Sequence, residues 1–213
     1  MFDNQIENPN QVVKYIVPLP NLKALWLNNN PVVDACSNFH SITELMPNLE
    51  ICNSVLTQYA GAWAMLYYAR DQGAKSLEEI RSLSLAGKGV MYMKNVDVFS
   101  EMTGLRRLDL SDHPEFLMCP EMKEAKEYEA MFGLGKEERA KVTFAEHSIT
   151  VMDILQKLDH LEELICDEDL EQYILEERPK TGILSKLRLL NAIPLEVGIE
   201  ERKKQHEVVD LLN

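Results

Sequence analysis

Few groups of residues in this chain of 213 residues have the types and spacing that enzymatic chemistry requires. Two glycine–lysine stretches, Gly133 to Lys136 and Gly87 to Gly89, share features with a phosphate-binding loop, but neither completes the spacing G-x-x-x-x-G-K-[ST]. His147 lies beside Ser148, and the sequence offers no third residue that would orient the histidine. The sequence therefore predicts no catalytic residue, and both glycine–lysine stretches are expected to be turns.

The cysteines and histidines do not form a complete metal site in the sequence. The four cysteines lack C-x-x-C spacing, and the pair Cys36 and His40 supplies only two of the ligands that zinc needs. Cys52 and Cys166 fall at expected core positions, where a cysteine serves as a small buried side chain. His113 is expected to hydrogen-bond the backbone. We therefore predict reduced thiols and no metal or cofactor.

The charge balance limits the classes of partner. The formal net charge is −13, from 22 basic and 35 acidic residues, which argues against nucleic acid and anionic membranes. No segment approaches the roughly 18 apolar residues of a membrane span, and Met1 to Gln5 has no basic residue that would indicate a secretory signal. We predict a cytoplasmic protein. The acidic run from Glu162 to Glu177 is either a solvated rim or a patch that selects a basic partner.

A leucine pattern indicates the elements that would position a functional surface. Leu22 to Asn30 fits L-x-x-L-x-L-x-x-N, and the frame returns from Leu105 to His113. The frame places strand centres at Leu25, Cys52, Leu83, Leu108, Leu164 and Leu190. Alternation along each strand would bury the leucines and turn their neighbours outward. The pattern predicts an α/β leucine-rich-repeat solenoid, a horseshoe with short concave strands, convex helices or turns, and one insertion.

The same pattern predicts how the chain is divided. Residues 1–76 would hold repeats with a cap-like unit and a helix, and residues 77–199 would hold further repeats with the insertion at about 114–148. Residues 200–213 would form a helical tail. An open end of the solenoid would expose apolar surface and a strand edge, so association through that end is expected.

Alternation also names a candidate binding face. Tryptophan and arginine on an outward row are typical of binding hot spots. The alternative for Trp26 is packing against Tyr15 or against an upstream coil. The outward positions are Trp26, Asn28, Asn53, Ser84, Arg107, Asp109, Ser111, Glu163, Ile165, Asp167 and Asn191.

Three stretches, 22–33, 61–73 and 105–116, resemble the leucine-rich repeat region of the tubulin-tyrosine-ligase-like family. The resemblance spans nearly all of residues 19–200. It implies a non-catalytic regulatory or targeting module, with tubulin or a histone as the protein partner. It also implies an ATP-dependent tubulin-modifying ligase domain beyond these residues, from which no catalytic residue can be carried over.

Two further readings stay open at this point. The cap-like stretch from Asn30 to Asn53 resembles small leucine-rich-repeat regulators of a protein phosphatase, which implies an adaptor. An enzyme in its own right would need a site within residues 114–148. Each reading predicts a different partner or activity.

Overall fold

The computed structural model describes residues 5–35, 43–113, 151–198 and 201–202. Its α-helices are Pro9–Tyr15 (α1), Pro31–Ala35 (α2), Ala62–Tyr68 (α3), Val98–Glu101 (α4), Val151–Leu155 (α5) and Glu168–Thr181 (α6). Single 3-10 turns are Arg70–Gln72, Leu77–Glu79 and Val90–Tyr92. The insertion predicted at 114–148 and most of the predicted tail lie outside the described residues.

Eight short strands form two sheets in the described residues. They are Ala24–Leu25 (β1), Ile51–Cys52 (β2), Val55–Leu56 (β3), Ser82–Ser84 (β4), Arg107–Asp109 (β5), Glu163–Ile165 (β6), Leu189–Leu190 (β7) and Ile193–Pro194 (β8). The first sheet has the order β1-β2-β3, and the second has the order β4-β5-β6-β7-β8. In each sheet the last strand is antiparallel and the others are parallel.

The prediction of one continuous leucine-rich-repeat horseshoe is wrong. The chain is an α/β protein with two separate mixed sheets of three and five strands. The physical reason is the turn after β2, where Asn53 and Ser54 have φ values of 51° and 65°. Such a two-residue turn reverses the chain at once, so β3 pairs antiparallel with β2 and ends the parallel run.

The positions of six of the eight strands were nevertheless predicted correctly, whereas β3 and β8 were not predicted. Each of the six predicted strand centres lies within a strand. Leu83, Leu108 and Leu164 are paired in register across β4, β5 and β6, and all three are buried. Burying each such leucine contributes roughly 1.5–3 kcal/mol, so this column anchors the second sheet.

Two hydrophobic cores lie behind the sheets. The smaller core includes Val12 and Leu27 and belongs to the first sheet. The larger core extends from Ile51 to Leu190 and includes Met65 of α3, so it lies behind both sheets. The division into domains at residues 76 and 77 stays a prediction.

Backbone hydrogen bonds join the two sheets at the loop after β4. Leu56 N donates to Lys88 O at 2.8 Å, and Lys94 N donates to Gln58 O at 3.1 Å. Gly89 has a φ of 66°, and a Cβ there would lie 2.6 Å from Val55 Cγ1. Only glycine fits such a close approach, which confirms the prediction of a turn at Gly87 to Gly89.

A buried arginine holds the far end of the second sheet. Arg202 Nη1 lies 2.5 Å from Glu171 Oε1, and its guanidinium also donates to the carbonyls of Leu190, Ile193 and Pro194. The ion pair therefore ties α6 to the hairpin formed by β7 and β8. No helix in the described part of the chain is both long enough and apolar enough to cross a membrane.

Candidate protein-binding surface

Several of the predicted outward residues pair with one another on the second sheet. Arg107 Nε lies 3.7 Å from Glu163 Oε2, and the two residues are partners in register. Ser84 Oγ donates to Asp109 Oδ2 at 3.0 Å, while Ser111 donates to Asp109 Oδ1 from both N and Oγ. The polar groups of this face are therefore largely used within the protein.

Three other predicted binding residues hold the loops that leave the strands. Asn53 Oδ1 accepts a hydrogen bond from Leu27 N at 2.7 Å, and Asn191 Oδ1 accepts one from Cys166 N at 2.8 Å. The carboxylate of Asp167 accepts two backbone N–H groups from the loop after β5, at 2.9 and 2.7 Å. These side chains replace backbone bonds between neighbouring loops. Their role in binding a partner stays a prediction.

The first sheet presents Trp26 and Asn28 on the outward row. Trp26 Nε1 donates to Ser54 Oγ at 3.1 Å, and its ring lies 6.0 Å from the Tyr67 ring. The ring neighbour of Trp26 is thus on α3 rather than at Tyr15. Asn28 Oδ1 is buried without a hydrogen-bond partner among the described residues. Asn30, the residue that fixes the repeat frame, donates its amide to Leu27 O at 2.8 Å.

An aromatic patch lies where α3 meets the first sheet. We define it by Trp26, Trp63, Tyr67 and Tyr68. The Trp63 and Tyr67 rings are stacked with centroids 5.4 Å apart, and Tyr68 meets Tyr67 edge-on at 5.4 Å. Trp63 is 37% exposed. These contacts form a continuous aromatic surface that reaches solvent.

Sequence reasoning missed this patch because the residue pattern of the helix does not show which side faces the core. In the structure Ala64 and Met65 are buried, and Ala69 just after the helix is buried with them. Trp63 and Tyr67 are four residues apart and therefore share the other face of the helix. The four-residue spacing was the available signal, and Ala64, Met65 and Ala69 rather than the aromatic rings are the fully buried residues.

Two cations lie over the rings of the patch. Arg70 Cζ is 4.3 Å from the centroid of Tyr67, and Lys88 Nζ is 5.8 Å from that of Tyr68. Cations at these distances are attracted to the face of an aromatic ring. Tyr68 donates its hydroxyl to Ser54 O at 2.9 Å, and burial, with a smaller contribution from Tyr67, raises the pKa of Tyr68 to about 12. The Tyr68 hydroxyl therefore stays a donor at neutral pH.

The thiols and the histidine have structural environments. Cys52 and Cys166 are free and buried, which confirms their predicted core positions. Burial raises the pKa of Cys52 to about 12 and also raises the pKa of Cys166, where Glu171 adds to the effect. His113 is buried, with Nδ1 2.9 Å from Leu110 O and Nε2 accepting a backbone N–H, which confirms its predicted role.

The structure does not describe several other residues that could take part in chemistry. Cys36, His40, Cys119, His147 and Ser148 lie outside the described residues, as does the stretch from 133 to 136. Within the described ranges, no group of three or more His, Cys, Asp or Glu side chains could hold a metal ion.

The acidic run is divided between solvent and core. Glu168 and Asp169 are exposed in the first turn of α6, where the helix dipole favours negative charge. Glu171 is instead buried against Arg202. Glu162, Glu163 and Asp167 of the run are partly buried and also have partners within the protein. Whether the exposed part selects a basic partner stays a prediction.

A shallow cleft between the segments that precede β1 and β2 has a volume of about 180 Å³ and is lined by residues that include Leu19, Pro20 and Met46. Pockets for small molecules usually measure about 300 Å³ or more, so the cleft is small for that purpose. A large aromatic surface with flanking cations is more typical of a module that binds another macromolecule.

Comparison of the chain with protein-family models, with curated proteins and with solved structures finds no match.

Proposed function

We propose that this chain is a non-catalytic protein-binding module whose contact surface is centred on the aromatic patch. The observation that carries the proposal is the exposed Trp63 ring stacked on Tyr67, with Arg70 over the same tyrosine. Tryptophan, tyrosine and arginine are the residues most enriched at binding hot spots. Rings already fixed by their neighbours lose little conformational freedom when a partner binds.

The paired side chains of the second sheet extend this surface. Arg107 and Glu163 are partly exposed and 3.7 Å apart, so either can exchange its partner for a group on another protein. Exposed pairs of this kind contribute only about 0–1 kcal/mol to stability. They are suited to selecting a partner at the rim of a contact, while the aromatic patch supplies the affinity.

The resemblance of the sequence to the tubulin-tyrosine-ligase-like family supports a regulatory or targeting role within such a protein. We place that role in the cytoplasm, with tubulin or a histone as the partner. The net charge of −13 supports a partner other than nucleic acid or an anionic membrane, because phosphate groups are bound by basic surfaces.

The test is binding of the purified chain to tubulin heterodimers and to histones, each at low and moderate salt. Replacing Trp63 with alanine should weaken binding by about tenfold or more, because it removes the exposed anchor of the patch. Tyr15→Ala is the matched control. Tyr15 is 63% exposed and lies near the cation of Lys14, and it is not part of the aromatic patch. This control should bind like the wild type.

Two results would contradict the proposal. Equal binding by the wild type and by Trp63→Ala would exclude the aromatic patch as the contact surface. If neutralising Glu168 and Asp169 abolishes histone binding and Trp63→Ala does not, binding would be assigned to the acidic rim of α6 instead. Circular dichroism of each variant checks that the fold is retained.

A further inference from the structure

We infer that the aromatic patch binds an acidic peptide segment, whose carboxylates pair with Arg70 and Lys88 while the peptide lies against the rings. This inference rests on the proposed function, because it names the chemistry of the partner for the same surface. It is carried by the distribution of charge around the patch.

Three basic side chains along the sheets are paired with carboxylates within the protein. Lys23 Nζ lies 2.8 Å from Glu50 Oε1, and Arg106 and Arg107 lie 3.4 and 3.7 Å from Glu162 and Glu163. These three cations therefore have partners of opposite charge already in place.

The two cations over the patch are different. Among the described residues, Arg70 forms an ion pair only with Asp71, at 4.0 Å and with 97% of the Asp71 side chain exposed, so solvent screens that contact. Lys88 makes no ion pair with any of the described residues, and its ammonium lies over Tyr68. Both positive charges are thus left available to carboxylates from another molecule.

The geometry of Arg70 suits a carboxylate. Its guanidinium contacts the Tyr67 ring at 4.3 Å, and a stacked guanidinium keeps the N–H groups at its edge free to donate. Those groups match the two oxygens of a carboxylate. Trp26 and Tyr68 both donate to Ser54, which fixes their rings before a partner arrives. The site is therefore organised in advance for an extended acidic peptide.

The experiment uses a fluorescent peptide of alternating Glu and Ser, and a peptide of equal length in which Gln replaces Glu. Binding to the whole chain is measured by anisotropy at about 0.1 M salt, where the screening length of about 10 Å confines charge effects to near neighbours. The acidic peptide should bind and the Gln peptide should not. Arg70→Glu and Lys88→Glu should each weaken binding by about tenfold or more.

Lys14→Glu is the matched control for the charge change. Lys14 Nζ lies 5.0 Å from the Tyr15 ring, so this substitution reverses one charge at another exposed aromatic–cation pair. It should alter peptide binding by less than about twofold. An equal loss in Lys14→Glu would show that only net charge matters and would overturn the inference. Failure of the acidic peptide to bind would also overturn it.

A single-stranded oligothymidylate separates an acidic peptide from nucleic acid. Tighter binding of this probe than of the peptide, lost in Arg70→Glu, would assign the patch to nucleic acid and overturn the inference. If the peptide fails but Trp63→Ala still abolishes binding to tubulin or histones, the proposed function stands and only the acidic chemistry is wrong. If peptide binding is lost in Arg70→Glu but Trp63→Ala leaves tubulin and histone binding unchanged, the acidic site stands alone.

Discussion

The hairpin of β2 and β3 and the hairpin of β7 and β8 share one backbone design in different surroundings. The turn residues Asn53 and Ser54 have φ values of 51° and 65°, and Asn191 and Ala192 have values of 52° and 61°. Each asparagine accepts a backbone N–H from the loop of the preceding strand, at 2.7 and 2.8 Å. The backbone hydrogen bond that follows each hairpin has an N···O distance of 3.0 Å in both.

The difference that matters lies at the second position of the outer strand, which is Leu56 in β3 and Pro194 in β8. Leu56 pairs with Ile51 and donates its N–H outward to Lys88 O at 2.8 Å, which joins the first sheet to the next loop. Pro194 occupies the equivalent place opposite Leu189 and has no N–H to donate. Proline is typical of edge strands, where it prevents further pairing. The same hairpin therefore serves as a joint or as an edge, depending on this residue.

The ion pairs beside the two hairpins also differ in burial. Glu50 pairs with Lys23, which is 43% exposed, and also accepts the backbone N–H groups of Gly61 and Ala64 at the start of α3. Arg202 is only 2% exposed and its partner Glu171 only 4%. Glu50 is itself only 6% exposed, but it keeps those two N–H donors when the exposed Lys23 is lost. In the second pair both side chains are buried.

The largest expected effect comes from breaking the buried pair. Arg202→Met should lower the free energy of unfolding by about 3–5 kcal/mol, because Glu171 would stay buried without the cation that it pairs with. Lys23→Met should cost less, about 1 kcal/mol, because Lys23 is largely in water and the Glu50 carboxylate keeps its two backbone donors. Urea unfolding of both variants measures the difference. Equal losses would show that burial does not distinguish the two hairpins.

The next effect converts the joint into an edge. Leu56→Pro should destabilise the protein by about 3 kcal/mol or more, since it removes a buried side chain and the N–H that bonds Lys88 O. Leu56→Ala is the control that loses the side chain but keeps the N–H. The proline variant should be less stable than the alanine variant by about 1–3 kcal/mol. Identical stabilities would mean that the bond between the sheets contributes nothing.

A smaller effect concerns pH and the thiol in the first hairpin. The pKa of Cys52 is raised by burial from 9.0 to about 12, so the folded protein keeps a proton that the unfolded chain releases above pH 9. This contribution to stability is complete below pH 9 and is lost as pH rises toward 12, by about 1 kcal/mol per pH unit. Urea unfolding above and below pH 9 should show a shallower decline for Cys52→Ala than for the wild type. An unchanged slope would contradict the assignment.

The smallest effect on stability should come from converting the edge into a potential joint. Pro194→Leu restores an outward N–H at the end of the second sheet and keeps the carbonyl that Arg202 contacts. We expect a change in unfolding free energy of less than about 0.5 kcal/mol. Self-association at high concentration should increase, because an unpaired edge donor becomes available. Sedimentation velocity measures this, and a variant as monomeric as the wild type would show that proline is not what protects the edge.

Leucine spacing was enough to locate the strands, because a buried residue in each strand recurs with the repeat. It also located His113 and the two core cysteines. It could not show that the first hairpin ends the parallel run, since Asn53-Ser54 lacks the glycine that usually signals a turn with positive φ at both residues. The turn is determined by packing around it rather than by local preference.

The aromatic patch and the buried ion pair could not be predicted from the sequence, for a different reason. Trp63 to Tyr68 is apolar or aromatic at every position, so its period does not indicate which side faces the core. Glu171 and Arg202 are 31 residues apart, and each sits within a charged stretch that suggests solvent. Only the folded chain brings together the groups that decide these roles.

The presence of Leu56 and Pro194 at equivalent positions of the two hairpins also bears on how such a chain can evolve. Leucine and proline codons of the forms CUN and CCN differ in one base. A gene in which a hairpin has been copied can therefore lengthen or terminate the sheet at that copy by a single nucleotide substitution. Growth of the protein by whole blocks would then need no simultaneous redesign of its interior.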